Sequence, residues 1–239
     1  MSAFYNELDA FPAEWLRNLI GAGHIADGVV DERSIRDVRA DDLSRHGQCH
    51  FFAGIGVWSH ALRLAGWPDD RAVWTGSCPC QPFAPASRGR GEGFGGPRDL
   101  WPRWLELIRE RRPDVVFGEQ VAGGDGRRWM ERTADDLEVA GYAVGTAMLC
   151  ASAFGFPARR RFFFAAHPNG EGERARPVDA EMARVPAPAA VPAEAPLERG
   201  DLGPFGASDP GRMARLRAYG NAINAQVAAS FIQAFMGVS

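Results

Sequence analysis

Four short segments of this chain carry residues whose types and settings could do chemistry. Pro79-Cys80-Gln81 lies inside Gly76-Ser-Cys-Pro-Cys-Gln-Pro-Phe83, a loop rich in turn-formers. A core cysteine normally belongs to an apolar strand or helix. Here Pro79 fixes the backbone before the thiol, and Gln81 and Pro82 stop regular structure after it. A thiol presented this way has the setting of a nucleophile. Phe52-Ala53-Gly54-Ile55-Gly56 reads as a strand-to-helix turn whose glycines let the backbone approach a nucleotide-like ligand, although Gly-x-Gly is also an ordinary tight turn. Glu119 follows an apolar strand, where α/β sheets place ligand-binding groups and also structural carboxylates. Arg159-Arg160-Arg161 precedes a Phe-rich strand and is either a functional cluster or a solvated basic turn. Taken singly, these residues leave the alternatives open.

The elements that must position them alternate. A short strand ending near Glu7-Leu8-Asp9 precedes a helix over Pro12 to Ala22, with Trp15, Leu16, Leu19 and Ile20 on one face. Gly28 to Asp31 and Cys49 to Ala53 read as strands, the second entering the glycine turn. A helix with Trp58, Ala61, Leu62 and Ala65 follows and stops at Gly66-Trp67-Pro68. Arg71 to Thr75 is a strand leading into the cysteine loop. Leu100 to Arg111 is a helix, and Asp114 to Phe117 a strand ending at Gly118-Glu119. A helix from Arg127 to Ala140, strands from Gly141 toward Cys150 and over Arg161 to Ala166, and a final helix over Tyr219 to Met236 complete the pattern. Such alternation predicts an α/β layered sheet. Residues 168–204 are rich in Pro, Ala, Glu and Arg and poor in large apolar residues, so they read as a linker or mobile loop.

The chain of 239 residues, 46% hydrophobic and 24% charged, can bury one substantial core. No apolar run approaches the roughly 18 residues that span a bilayer, and the first residues lack a basic start and an apolar stretch. A cytoplasmic protein of bacterial or phage origin is the expectation. Cys49, Cys78, Cys80 and Cys150 form neither a disulfide framework nor paired Cys-x-x-Cys knuckles. They are expected as free thiols, with no metal site. The net charge of −3 does not advertise a nucleic-acid binder, but it can hide a local basic face. Every cation is arginine; a GC-rich genome explains this more readily than phosphate recognition does.

Together the segments resemble the DNA cytosine-5 methyltransferases. Phe52 to Gly56 is similar to that family's first cofactor motif and Pro79-Cys80-Gln81 to its catalytic loop. Arg98-Asp99-Leu100 resembles the start of the following helix. Glu119-Gln120-Val121 is similar to Glu-Asn-Val apart from its middle residue, whose role is to brace the catalytic loop. Ala151 to Arg161 resembles the Gln-x-Arg-x-Arg segment, one residue short, which pairs Arg159 with Arg161 and keeps Arg160 as an alternative. Gly220-Asn221-Ala222 is similar to the Gly-Asn motif closing the cofactor pocket.

The resemblance implies a Rossmann-like, doubly wound, mostly parallel sheet and S-adenosylmethionine as cofactor, held by Phe52 to Gly56, Pro79, Asn221 and Ala222. It implies that the Cys80 thiolate adds to C6 of a cytosine flipped out of double-stranded DNA. Glu119 would engage N3, and Arg161, with Arg159 nearby, would hold the base O2 or the Cys80 region.

The residues depart from the family's order in one respect. Only about twenty residues separate Gly56 from Cys80, too few for the ribose- and adenine-binding strands that normally intervene. Asn6-Glu7-Leu8-Asp9 and the following helix resemble the missing ribose unit. Val30-Asp31, with Ile35 beyond, resemble the adenine unit. A circular permutation is therefore expected, in which residues 1–45 supply those strands and 46–167 the catalytic core. Residues 168–205 are then a linker or a reduced target-recognition region, and 206–239 complete the domain. Sequence specificity is short, relaxed, or supplied by a partner chain. RNA or nucleotide cytosine is the alternative substrate, and a catalytically inactive nucleic-acid-binding homologue the second alternative.

Overall fold

The computed structural model describes residues 2–79, 96, 99–169 and 222–238. Its strands are β1 (Ser2–Asn6), β2 (Gly28–Asp31), β3 (His46–Phe51), β4 (Val73–Gly76), β5 (Val116–Val121), β6 (Tyr142–Cys150) and β7 (Arg160–Pro168). They form one seven-stranded sheet in the order β2-β1-β3-β4-β5-β7-β6. Five strands are parallel, and β7 runs antiparallel to both β5 and β6. The helices are α1 (Ala10–Gly21), α2 (Val57–Leu64), α3 (Trp101–Arg111), α4 (Gly124–Val139) and α5 (Ala225–Val238). None is long and apolar enough to cross a membrane.

Strand alternation divides the core between the two faces of the sheet. Phe4, Cys49, Phe51, Trp74, Val116 and Phe164 pack against Trp101, Trp104 and Leu105 of α3 and Trp129 and Leu137 of α4. On the other face Val73, Phe117 and Phe163 meet Trp58 and Leu62 of α2 and Phe231 and Ile232 of α5. Tyr5 and Ala3 meet Leu16 of α1 there. Helices on both faces of a mostly parallel sheet are the doubly wound architecture that the alternation implies.

Two expectations need correction. The strand placed over Asp114 to Phe117 extends to Val121, because β7 pairs with it along its whole length. Glu119, expected at the end of the strand, therefore stands two residues before it. The last strand also runs through Pro168, so the segment read as a linker begins after the sheet ends. Residues 170–221, with most of that segment, lie outside the described residues, as does the start of the final helix read from Tyr219.

Candidate active site at the carboxyl ends of the strands

The chain winds outward in both directions from the gap between β1 and β3, through β3, β4 and β5 on one side and β1 and β2 on the other. In open α/β sheets ligands bind outside the carboxyl ends of the strands at such a switch point. The glycine turn leaves β3 there. Phe52, Gly54 and Gly56 all have positive φ, at 51°, 55° and 80°. For Phe52 this costs about 1–2 kcal/mol, a strain seen most often at functional sites. Its ring packs edge-on to Trp104 at 6.1 Å, which helps hold it. A side chain at Gly56 would press Leu16 and Ile25 at 3.1 and 3.2 Å, whereas one at Gly54 would meet nothing within 4 Å. The turn is therefore packed on the helix side and open above Gly54, as a backbone that cradles a ligand must be.

Glu7, one residue beyond β1, closes on this turn. Its Oε2 accepts the Gly54 N–H at 2.7 Å and its Oε1 the Asp9 N–H at 2.9 Å. Burial pushes its carboxyl up, and the two backbone donors pull the other way. Asn6 secures the same corner: its carbonyl accepts from Ala53 N, and its amide donates to the carbonyls of Asp31 and Arg33. Leu8, beside Glu7, is 67% exposed, a large apolar side chain with nothing to cover it among the described residues. An acidic acceptor, an exposed apolar residue and an open glycine turn on one corner fit a nucleoside, whose ribose offers hydroxyls and whose base offers a face.

The second cluster lies at β4, β5 and β7. Alternation sends Glu119 to the α2/α5 face and Gln120 to the α3/α4 face. Glu119 is buried, and its Oε1 receives Arg161 Nε at 2.6 Å. Ser77, just after β4, also hydrogen-bonds its carboxyl. Ser77 in turn receives the Trp58 indole N–H at 3.1 Å. Burial raises the Glu119 carboxyl to about 7, against the opposing pull of Arg161. Desolvation thus outweighs an ion pair in direct contact, leaving a carboxyl that can hold a proton near neutrality. Arg159 lies on the same side of β7 as Arg161. Its guanidinium is pushed down first by burial and then by Arg161.

Gln120 answers the question raised by its extra methylene. Its Nε2 donates to the Cys78 carbonyl at 3.3 Å, while its Oε1 accepts from Val121 N at 2.9 Å. The longer side chain reaches the cysteine loop from the sheet, bracing its first residues. The Cys78 thiol itself is buried and pushed well above its ordinary value, the state of an inert core thiol. Cys49, Cys78 and Cys150 are free, and among the described residues no cluster could hold a metal.

Several sequence-predicted residues stand elsewhere than expected. Asp31, assigned to the cofactor, gives its carboxylate to Arg33, with contacts of 2.6 to 3.1 Å from the guanidinium. Ile35 is 3% exposed and belongs to the core cluster on the α3 side. Arg161, expected at the base O2 or the Cys80 region, spends Nε on Glu119 and Nη1 on the Arg160 carbonyl. Ile55 continues the turn and Pro79 ends the described part of the cysteine loop. Ala222 precedes α5, whose first turn is capped by Asn224 Oδ1 on Val227 N at 3.0 Å. Cys80, Gln81, Arg98 and Asn221 lie outside the described residues.

Sequence reasoning missed Ser77, Trp58 and Arg132. Trp58 has the spacing of a core residue, and only the fold brings its indole N–H to Ser77. Asp99, read as the start of a helix, accepts from Trp101 N at 3.3 Å and from Arg132 of α4 at 2.6 Å. That pair ties the far end of the cysteine loop to the helix packed beside it.

Known proteins share these features to different extents. The chain is 31% identical over 103 residues to the type II methyltransferase M.AplI of Arthrospira platensis, covering 42% of this chain and 28% of that protein. It is 33% identical over 91 residues to the type II methyltransferase M.MspI of Moraxella sp., covering 36% and 21%. It thus spans less than a third of the length of these curated relatives. Among solved structures, the S. pombe Dnmt2 methyltransferase matches with a TM-score of 0.44 at 16% identity, over 77% of this chain and 55% of that one. A putative DNA modification methyltransferase encoded within an E. coli prophage matches at 0.39 and 13% identity, over 70% and 47%. The model for C-5 cytosine-specific DNA methylases matches residues 65–196, more than half of the chain, and takes in the cysteine loop, Glu119 and the arginines of β7. On that match, the chain belongs to the C-5 cytosine-specific DNA methylase family.

Proposed function

We propose that this protein methylates C5 of cytosine in double-stranded DNA, with S-adenosylmethionine as donor and Cys80 as nucleophile. The observation that carries this reading is Glu119, buried, paired with Arg161 and titrating near 7, directly behind the loop that leads into Cys80. S-adenosylmethionine, when bound, supplies the methyl group as an electrophile. Cytosine C5 is a poor nucleophile, so the ring must first be activated. The Cys80 thiolate forms a bond to C6, and the displaced π electrons make C5 electron-rich. Protonated Glu119 hydrogen-bonds N3 and offsets the charge building there. Arg161 holds Glu119 in place. After methylation the C5 proton leaves to a base, the bond between sulfur and C6 breaks, and Cys80 is released. C5 and C6 are stacked inside a duplex, so the base is flipped out to reach the loop.

We read residues 1–45 as the displaced cofactor-binding strands of a circularly permuted chain. Support comes from the sheet order, which sets β1 beside β3 and β2 beyond it, and from the contact between Glu7 and Gly54. Glu7 and Leu8 would then hold the ribose and the adenine face, and residues 206–239 complete the domain. Residues 168–205, or a separate specificity chain, would supply target recognition.

DNA carrying 5-fluorocytosine tests the reading, because fluorine at C5 blocks release of the thiolate. A denaturation-resistant adduct that requires S-adenosylmethionine and disappears in Cys80→Ala is expected. An adduct on RNA and on no DNA would move the substrate to RNA; none on either, with cofactor still bound, would leave a binding protein.

A further inference from the structure

Opposite Glu119, on the α4 side of the same sheet edge, lies a pocket of about 260 Å³ that the reaction above does not use. Its walls are Arg127 of α4, Arg160 and Phe162 of β7 and Met148 of β6, and Gly123 and Gly124 lie at its rim. Alternation along β7 explains the division: Arg161 turns to Glu119, while Arg160 and Phe162 turn to the other face. Met148 is the cross-strand partner of Phe162 and is 53% exposed. The Arg127 guanidinium stands 5.7 Å from the Phe162 ring centroid. The Arg160 side chain hydrogen-bonds the Cys150 thiol. Among the described residues, neither arginine has a carboxylate partner, unlike Arg17, Arg33, Arg63, Arg103, Arg132 and Arg161. A side chain built at Gly123 or Gly124 would meet nothing within 4 Å, so the approach is open.

We propose that Arg127 and Arg160 clamp a backbone phosphate of the DNA strand beside the target cytosine. The inference rests on the DNA reading above. Two planar guanidinium forks facing one small open pocket match a phosphodiester in shape and in charge. Phe162 gives the Arg127 guanidinium an apolar surface to lie against, and the glycines let the strand come close. Arg160 and Arg161 are neighbours on one strand but face opposite ways. The strand is thus gripped on one side of the sheet edge while its base turns toward Glu119 on the other. Such a contact positions the DNA and reads no sequence. Arg127 and Arg160 are positioning residues, not catalytic ones.

The test compares the full chain with Arg127→Ala/Arg160→Ala and Arg127→Lys/Arg160→Lys. Binding of a short mixed-sequence DNA duplex is followed by fluorescence anisotropy between about 50 and 200 mM salt. Each phosphate no longer neutralised lowers the slope of log affinity against log salt by about 0.9, so the alanine pair, which releases one phosphate, should lower it by about 0.9. Over that fourfold range the native chain then loses roughly three- to fourfold more affinity than the alanine variant. The lysine pair keeps most of the slope, and S-adenosylmethionine binding and melting temperature stay unchanged in both variants. A purely structural role would move the melting temperature and leave the slope alone, which overturns the clamp. A native slope in the alanine variant, while the native chain still forms the 5-fluorocytosine adduct, overturns the clamp by itself. A native chain that binds no DNA duplex but does bind an RNA of the same sequence overturns the DNA reading and the clamp together.

Discussion

Two carboxylates face the same edge of the sheet from opposite sides of β3, and their surroundings differ in kind. Glu7 is half-buried and held by two backbone N–H groups, one from the glycine turn and one from the next helix entry. Glu119 is buried and held by side chains, Arg161 and Ser77, with Trp58 behind Ser77. Backbone donors fix an acceptor in place and leave it suited to the hydroxyls of a ligand. A buried carboxyl against one arginine has its proton affinity set by its neighbours, which suits a group that must carry charge or a proton. One edge thus carries a corner suited to binding and a corner suited to reaction.

That division can be broken by mutation. Glu119→Ala should lower methyl transfer by about 10²- to 10⁴-fold, the range of general acid–base contributions, with S-adenosylmethionine affinity unchanged. A parallel loss of cofactor binding in calorimetry would erase the distinction. Glu7→Ala should do the reverse. It removes an acceptor whose charge-assisted bonds are worth about 1.5–3 kcal/mol each, so cofactor affinity should fall by at least roughly tenfold. The fold should stay intact by circular dichroism, and unchanged affinity would also sink the permuted assignment of residues 1–45. Gln120→Ala should lower the rate of adduct formation by about five- to tenfold, the value of one neutral hydrogen bond of about 1 kcal/mol. Cofactor binding should not change, since only the cysteine loop loses its brace.

The smallest effect sharpens the comparison through pH. The folded-state value of Glu119, about 7, lies above its ordinary 4.5, so the folded chain binds more protons than the unfolded one between them. This group's contribution to stability is full below about pH 4.5 and is lost as pH rises through about 7. The melting temperature of the native chain minus that of Glu119→Gln should decline across this window. A flat difference would mean that the carboxyl is ionised in the fold.

Much of this was legible beforehand because it depends on local chemistry. The strand-and-helix alternation follows from apolar periodicity, and β2 over Gly28–Asp31 matches the segment read from sequence. The glycine turn was legible because Gly54 and Gly56 adopt the positive φ that favours glycine. For other residues the sequence does not say what they touch. Asp31 has the type of a ligand-binding acid, but Arg33, two residues on, takes its carboxylate. Ile35 has the type of an adenine contact, and the fold sets it in the core cluster on the α3 side. Gln120 departs from the family's Asn by one methylene, and only the fold shows that its amide reaches the Cys78 carbonyl.

By itself the sequence determined the alternating elements, the thiol's setting in a Pro- and Gly-rich loop, and the set of motifs that places the chain in its family. Those depend on backbone preferences and residue types within a few positions. Only the tertiary structure decided which groups share an edge. It set β1 beside β3 so that Glu7 meets Gly54. It turned Arg161 to Glu119 and Arg160 away from it, and it buried Glu119 deeply enough for desolvation to prevail over its ion pair. Strand order and burial arise from contacts between residues far apart in the chain, and no local pattern encodes them.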